Sequence, residues 1–404
     1  MHDLVIRAGA VYLPRGPRPG AVVVDGGTIS AVLDDPDASV EARDEVRLAR
    51  DEVLIPGVVD SHVHVNEPGR TEWEGFASAT AAAAAGGVTT IIDMPLNSVP
   101  PTTTPEALEV KRKAADGACS VDVGFWGGAV PQNLGRLAAL HDAGVFGFKC
   151  FLSPSGVPEF EHLTTAQLGQ AAAEIAAFDG LLIVHAEDPT VLADSEAHAA
   201  HGDYEGFLAS RPDAAEITAI ENVISAVRTT GVRAHILHLS SARALPVLAA
   251  AKAEGLPITV ETCPHYLSFA QGQIPPGATQ FKCCPPIRSD ENRERLWQGL
   301  ADGVIDIIAS DHSPATAELK YAGNGDFARA WGGIAGLQVA LPAVWTAASA
   351  RGLPLESVLD WMCKGTARRM EQRSQKKAAP AVHSRATDRG NRDHGASESA
   401  FSER

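Results

Sequence analysis

Eight short apolar runs, separated by Ala-rich helical stretches, occupy the sequence from residue 55 to Asp311 and constrain its fold more than any other feature. The runs are IPGVVDSHV, VTTIIDM, VDVGFW, VFGFKCF, LLIVHAE, RAHILHLS, PITVETC and VIDIIASD. Continuous apolar strands that alternate with helices are typical of a parallel sheet covered on both faces. Eight such units predict an α/β fold, a (β/α)8 barrel, with its active site at the C-terminal ends of the strands.

The segments that flank the barrel have different patterns. Residues 1–54 contain short β-patterned runs between Gly, Pro and Asp turns, which predict a small antiparallel sheet. The barrel is expected to occupy residues 55–370. Residues 371–404 are polar and contain no Ile or Leu, so they bury too little apolar area to offset the entropy of ordering. We therefore expect three parts: a small β domain, the barrel and a disordered tail.

Charge and cysteine content exclude several classes of partner and scaffold. The 404 residues include 34 Lys and Arg against 50 Asp and Glu, for a net charge of −16. That charge repels polyphosphate and anionic lipid at long range, so neither nucleic acid nor a membrane is an expected partner. Because no basic patch followed by an unbroken apolar run starts the chain, we expect a cytoplasmic location. The six cysteines are too sparse for a disulfide scaffold and are expected to be thiols.

Polar, metal-binding residue types stand at the ends of five of the eight predicted strands. The set comprises His62 and His64 at the end of the first strand, Lys149 in the fourth, His185 and His238 at the ends of the fifth and sixth, and Asp311 after the eighth. The first two share one face because side chains alternate along a strand. Each residue alone is more often a core or capping residue than a ligand. Their joint placement at one end of one barrel favours a metal site.

The residue types indicate which metal and which bridging group the site would use. Neutral imidazoles and carboxylates suit zinc, with cobalt, manganese or iron as alternatives. Lys149 stands between Phe148 and Cys150, where desolvation lowers the pKa of its amine and makes the neutral form available. A neutral amine can add CO2 to give a carbamate that bridges two metal ions. His235 has the opposite strand parity to His238 and is expected to lie deeper, with a structural role.

The motifs resemble those of the cyclic amidohydrolases, a group that contains the dihydroorotases, hydantoinases (dihydropyrimidinases) and allantoinases. The resemblance runs from the first strand to about residue 370 through HVHVNEPGRTEWEGF, IIDMPLNS, FKCFLSPSG, VHAE, LHLSS, ETCPHYL, KCCPPIR and SDHSP. It implies a homotetramer with two divalent metal ions in each chain. The implied ligands are His62, His64 and Asp311 for one ion, His185 and His238 for the other, and carbamylated Lys149 as the bridge. Asp311 would also act as general base and then general acid as a cyclic amide is opened.

Differences within this group favour the allantoinases. Dihydroorotases carry an arginine where this chain has Asn66 and an asparagine where it has Leu96, and both bind the substrate carboxylate. The expected substrate is therefore allantoin, a cyclic ureide that is hydrolysed to allantoate. The candidate substrate contacts are Asn66, Asn97, Cys284, Ser313 and Gly332. The alternatives are a hydantoinase that acts on another cyclic ureide, and a non-catalytic barrel scaffold, which the six filled ligand positions disfavour.

The C-terminal segment departs from the family pattern. In the family, the helix that corresponds to SVLDWMCKGTARRM is followed by strands that pair with the N-terminal sheet and complete a small β-sandwich. This chain continues into the polar segment 371–404, which we interpret as a truncated or frame-shifted end. The sandwich at residues 1–54 is therefore expected to be incomplete.

Overall fold

The structure, a computed structural model, describes residues 1–368. The segment 371–404, for which the sequence predicts disorder, lies outside the described residues. Within residues 1–368, no helix has both the length and the apolar composition needed to cross a membrane.

Parallel strands arranged in chain order form the predicted barrel. Their bounds are β5 Val58–Val63, β6 Val88–Asp93, β7 Asp122–Phe125, β8 Gly127–Gly128, β9 Phe148–Phe151, β10 Leu181–His185, β11 Arg233–Ile236, β12 Ile258–Thr262 and β13 Ile307–Ile308. β7 and β8 flank Trp126 and together make the third barrel strand. The two ends of this ladder are linked by a parallel bridge between Val63 and His312, and the His64 N–H donates to the His312 carbonyl at 2.8 Å. The (β/α)8 prediction is confirmed.

Helices follow the barrel strands along the chain. The α-helices are α1 Phe76–Ala85, α2 Pro105–Ala115, α3 Leu137–Asp142, α4 Thr165–Ala176, α5 Pro189–Ser195, α6 Tyr204–Ala209, α7 Asp213–Thr230, α8 Leu245–Ala253, α9 Pro264–Ser268, α10 Asp290–Ala301, α11 Ala317–Lys320, α12 Ala340–Ser349 and α13 Leu355–Leu359. A π-helical turn extends α13 through Asp360–Lys364. Short 3-10 turns lie at Pro131–Asn133, Glu196–His201, Ala242–Ala244, Gln271–Gln273, Thr279–Phe281 and Leu337–Val339.

Local sequence signals explain where the longer helices begin and end. In α4, the Thr164 side chain accepts from the Gln167 N–H while the Gln167 side chain accepts from the Thr164 N–H, which satisfies two otherwise unpaired donors. α7 buries a stripe of apolar side chains at helical spacing and ends at Gly231, whose φ of 71° suits glycine. These helices cover the strands from outside, so the strand interiors are almost entirely buried and hold the functional side chains in fixed positions.

Residues 2–47 form a four-stranded sheet outside the barrel. Its strands are β1 His2–Leu13, β2 Gly16–Asp25, β3 Thr28–Leu33 and β4 Ala42–Arg47, in the order β3-β2-β1-β4. The prediction of an antiparallel sheet is correct for β1, β2 and β3 but wrong for β4, which pairs parallel with β1. The intervening loop crosses to the far edge of the sheet, where Arg7 donates to the carbonyls of Pro36 and Ala38 at 2.7 and 2.8 Å.

Candidate metal centre

The predicted ligands from the first, fourth and eighth strands meet inside the barrel. Asp311 Oδ1 lies 3.0 Å from His62 Nε2 and 3.6 Å from His64 Nε2. Lys149 Nζ approaches His62 Nε2 to 3.4 Å. All four residues are buried. Three strands that are distant in sequence thus place two imidazoles, a carboxylate and an amine in one buried cluster.

His185 and His238 complete this cluster from the fifth and sixth strands. Their ring centroids are 4.6 Å apart, and the His238 ring lies 5.5 Å from that of His62. Both ring nitrogens of His238 are buried and have no hydrogen-bond partner among residues 1–368. Buried polar atoms normally have a partner, because leaving one unpaired costs free energy. The unpaired imidazole therefore fits a metal ligand, and the N and O donors around it suit a divalent cation such as zinc.

The other three histidines each have one ring nitrogen engaged by a protein acceptor. The pairs are His62 Nδ1 with Glu261 Oε1, His64 Nδ1 with the Leu96 carbonyl at 3.1 Å, and His185 Nε2 with Glu187 Oε2 at 2.8 Å. Such partners fix the tautomer and orientation of metal-binding imidazoles and increase their basicity. This arrangement leaves the opposite nitrogen of each ring for a ligand.

Glu261 of β12 organises the floor of the cluster, and the sequence analysis missed it. One carboxylate oxygen contacts His62 Nδ1 and accepts from the His238 N–H at 3.2 Å, while the other lies 3.0 Å from His235 Nε2. Burial opposes ionisation of Glu261, but His62 and His235 hold its pKa below the usual range. His235 Nδ1 lies 2.7 Å from Thr259 Oγ1. Both nitrogens of His235 are thus held by protein groups, in agreement with its expected structural role.

Burial and neighbouring charges set the protonation of the cluster. Burial lowers the pKa of Lys149 to about 8, although Asp311 and Glu261 oppose the shift. Burial, together with Lys149, also lowers the pKa of His64 to about 4. For His62, burial opposes protonation, yet the charges of Asp311 and Glu261 raise the pKa to about 9. Burial thus favours the neutral forms of Lys149 and His64, and these are the forms in which an amine or an imidazole can bind a metal ion.

Two of the cluster residues have strained backbones. His238 has a φ of 36° and Asp311 a φ of 46°, in the left-handed region that favours glycine. Each such residue costs on the order of 1–3 kcal/mol and persists only where the surrounding structure holds it. Both lie two or three residues after the end of a barrel strand. In this backbone conformation, both side chains lie in the shared cluster.

A cavity of about 270 Å³ opens above the cluster and contains most of the predicted substrate contacts. Asn97, Cys284, Ser313 and Gly332 line it together with the metal-ligand candidates. Asn66 is not part of the lining, because its Nδ2 donates to the Pro314 carbonyl at 3.5 Å and its Oδ1 accepts from Asn97 Nδ2 at 3.1 Å. Asn66 therefore lies outside the cavity and holds the Asn97 amide through this hydrogen bond.

Two cationic side chains that the sequence analysis missed also line this cavity. Arg211 lies beside Glu187 and forms an ion pair with it, while Lys282 donates to the Ala330 carbonyl at 2.6 Å. Both lie outside the strands, so no strand-end pattern marked them. Their charges are already engaged by protein acceptors.

Known proteins are similar to this chain in sequence over most of its length. The profile of the Amidohydrolase family matches residues 53–372. The allantoinase of Streptomyces avermitilis is 57% identical over 366 residues, covering 91% of this chain and 81% of that protein. The mitochondrial allantoinase of Aquarana catesbeiana is 50% identical and the allantoinase of Saccharomyces cerevisiae 48%, covering 79% and 80% of this chain and 66% and 70% of those proteins.

Solved structures share the fold. The L-hydantoinase (dihydropyrimidinase) of Arthrobacter aurescens superposes with a TM-score of 0.86 at 32% identity, covering 93% of this chain and 84% of that one. A dihydropyrimidinase from Brevibacillus agri superposes with a TM-score of 0.81 at 24% identity, covering 95% and 84%. The second match carries information on the fold alone.

Proposed function

Because this chain belongs to the Amidohydrolase family, we propose that it hydrolyses the cyclic amide of allantoin to give allantoate. The observation that carries the proposal is the buried cluster of four histidines, one lysine and one aspartate, in which both ring nitrogens of His238 are unpaired. Its similarity to allantoinases from a bacterium, an amphibian and a yeast supports the choice of substrate.

The proposed cofactors are two divalent metal ions, with zinc favoured over cobalt, manganese and iron. The proposed ligands are His62, His64 and Asp311 for one ion, His185 and His238 for the other, and Lys149, carbamylated by CO2, between them. Bound divalent ions would lower the pKa of water and polarise the amide carbonyl. The orientation of the imidazoles by Glu261, Glu187 and the Leu96 carbonyl supports this assignment.

Asp311 is proposed to move the proton during hydrolysis. Burial opposes its ionisation, but His62, His64 and His238 keep its pKa well below the usual range, so it stays a carboxylate able to accept a proton from water. It would then deliver that proton to the ring nitrogen that leaves. The neighbouring backbone is fixed, since the Ser310 N–H donates to Asp60 at 3.2 Å.

The cavity favours a neutral ureide over a carboxylate-bearing ring. Leu96 and Asn97 line the cavity, and Arg211 forms an ion pair with Glu187. Lys282 is similarly held by a backbone carbonyl. A substrate carboxylate would therefore enter a buried pocket without a bidentate partner, which is costly. The amide groups of allantoin need only hydrogen bonds of the kind that Asn97, Ser313 and exposed backbone groups supply.

A hydantoinase activity is the second candidate, favoured by the superposition on the L-hydantoinase of Arthrobacter aurescens at 32% identity. A non-catalytic scaffold is disfavoured because all six ligand positions converge in the cluster. We also propose a homotetramer, on the family resemblance, and a cytoplasmic location. Neither nucleic acid nor membrane is a proposed partner, because the net charge is −16.

The test is metal analysis of the purified protein combined with turnover of allantoin, hydantoin, dihydrouracil and dihydroorotate. We expect about two divalent ions per chain, allantoin as the best substrate by kcat/KM, and loss of turnover after chelation. Asp311→Asn should fold and lose turnover. Active protein without tightly held metal would contradict the centre, and faster hydrolysis of dihydroorotate would contradict the substrate while leaving the centre intact.

A further inference from the structure

A second set of metal-binding donors shares Asp311 with the cluster described above. Cys263, His265 and Asp311 each offer one donor atom, and these atoms all lie within 4.8 Å of one another. Cys263 directly follows β12, and His265 is the second residue of α9. Neither has a role in the proposed hydrolysis. The set combines a thiol, an imidazole and a carboxylate, whereas the predicted centre contains no sulfur.

His265 has an unsatisfied buried nitrogen. Its side chain is 5% exposed, and Nε2 has no hydrogen-bond partner among the described residues. Cys263 is completely buried beside it. A buried imidazole nitrogen without a partner calls for an explanation, and a bound ion is one that the neighbouring donors can support.

A separate cavity connects His265 with the surface. It has a volume of about 410 Å³ and is lined by His265, Phe281, Ser310 and Lys320 among others. It shares only Ser313 and Gly333 with the lining of the substrate cavity. A small cation can therefore reach His265 through this cavity without passing through the substrate cavity.

We propose that Cys263, His265 and Asp311 form an inhibitory site for a thiophilic divalent cation such as cadmium. On binding, the Cys263 S–H gives its proton to solvent, and the thiolate and carboxylate neutralise the two charges of the cation. Soft thiolate donors favour such cations over the harder ones that carboxylates select.

The proposed inhibition follows from the shared carboxylate and rests on the proposed function. Asp311 is assigned there both as a ligand and as the group that moves the proton. A cation that draws on the same carboxylate weakens its interaction with His62 and His64 and its capacity to accept a proton. Inhibition should be reversible by a thiol chelator and should not be relieved by substrate, because the two cavities are separate.

The experiment titrates cadmium into the holoenzyme already loaded with its resident metal. We expect about one additional cadmium ion per chain, an ultraviolet thiolate-to-cadmium charge-transfer band, and loss of turnover in parallel with that band. Cys263→Ser and His265→Gln should keep basal turnover. They should weaken cadmium binding by about ten-fold or more, because even outer partners of a metal ligand alter affinity by that amount. The matched control is Cys363→Ser. Cys363 is also a buried thiol, and it donates to the Pro56 carbonyl at 3.6 Å.

The spectroscopic reading separates the two proposals. A band that is abolished by Cys263→Ser in a protein without allantoin turnover would support the site and contradict the function. A band that persists in Cys263→Ser, or cadmium that only replaces the resident ions, would overturn the site. If Cys263→Ser fails to fold, His265→Gln decides, because unchanged cadmium affinity in that variant also overturns the proposal.

Discussion

Replacing Glu261 by glutamine tests whether the carboxylate beneath His62 tunes the predicted metal centre. The substitution keeps the shape of the side chain and one carbonyl oxygen for His62 Nδ1 and the His238 N–H. The new amide group would face His235 Nε2, which can change tautomer because its Nδ1 can then donate to Thr259 Oγ1. The change thus removes mainly the negative charge.

The expected size of the effect follows from the hydrogen bond to His62. A bond to a charged group contributes about 1.5–3 kcal/mol and a neutral one about 0.5–1.5 kcal/mol, so the loss is on the order of 1–2 kcal/mol. At about 1.4 kcal/mol for each factor of ten, metal affinity should fall by roughly 5- to 30-fold. The direction is fixed, since Glu261 raises the basicity of His62.

The assay is competition for the metal with a chromogenic chelator at constant pH, with kcat/KM and the melting temperature measured on the same samples. Asp306→Asn is the control. Asp306 accepts from Lys252 Nζ at 2.6 Å and from the N–H of Val260, the residue before Glu261, at 2.7 Å. It therefore lies near Glu261 but bonds to other groups. The substitution should lower the melting temperature without changing metal affinity.

The reasoning is refuted if Glu261→Gln binds metal as tightly as the parent protein and resembles Asp306→Asn in every reading. A fall in metal affinity alone, with the melting temperature of the metal-free protein unchanged, is the outcome that the hydrogen-bond geometry predicts. Glu261→Asp should recover part of the affinity, because it restores the charge at a longer reach.

Three further substitutions have expected outcomes. Lys149→Ala should lose bound metal and turnover, as measured by elemental analysis, and added short carboxylic acids should restore part of both; unchanged metal content would contradict the bridging role. Lys111→Met leaves Asp93 buried without the partner that Lys111 Nζ now supplies, and should lower the unfolding free energy by about 3–5 kcal/mol in urea titrations. Asn66→Arg should decrease kcat/KM for allantoin, because the longer cation displaces the Asn97 amide that Asn66 now holds; an unchanged value would show that Asn97 does not contact the substrate.

The barrel and the convergence of its ligand candidates were predictable because burial on both faces leaves a strong local signal. Each barrel strand must be apolar along its length, so a polar residue such as His185 at its end stands out. The (β/α)8 order then places strand ends from distant parts of the chain side by side. Even β13, only two residues long, was marked by its apolar run before Asp311.

Long-range contacts explain what could not be predicted. Glu261 is the one acidic residue of β12, and only the register of β12 with its neighbours shows that it reaches His62 and His235. The polar strand β4 has no apolar alternation, so its parallel pairing with β1 depends on a crossing loop. Arg211 reaches its position from a loop whose path is set by tertiary packing.

The left-handed backbones of His238 and Asp311 also matter for protein engineering. A search for stabilising substitutions would place glycine at these two positions early, because glycine adopts such φ values without steric cost. Either change would relieve the backbone strain and would delete a side chain from the cluster. Thermostability and the proposed catalysis therefore place opposite demands on these two residues. A library selected for heat resistance alone would accumulate variants without activity.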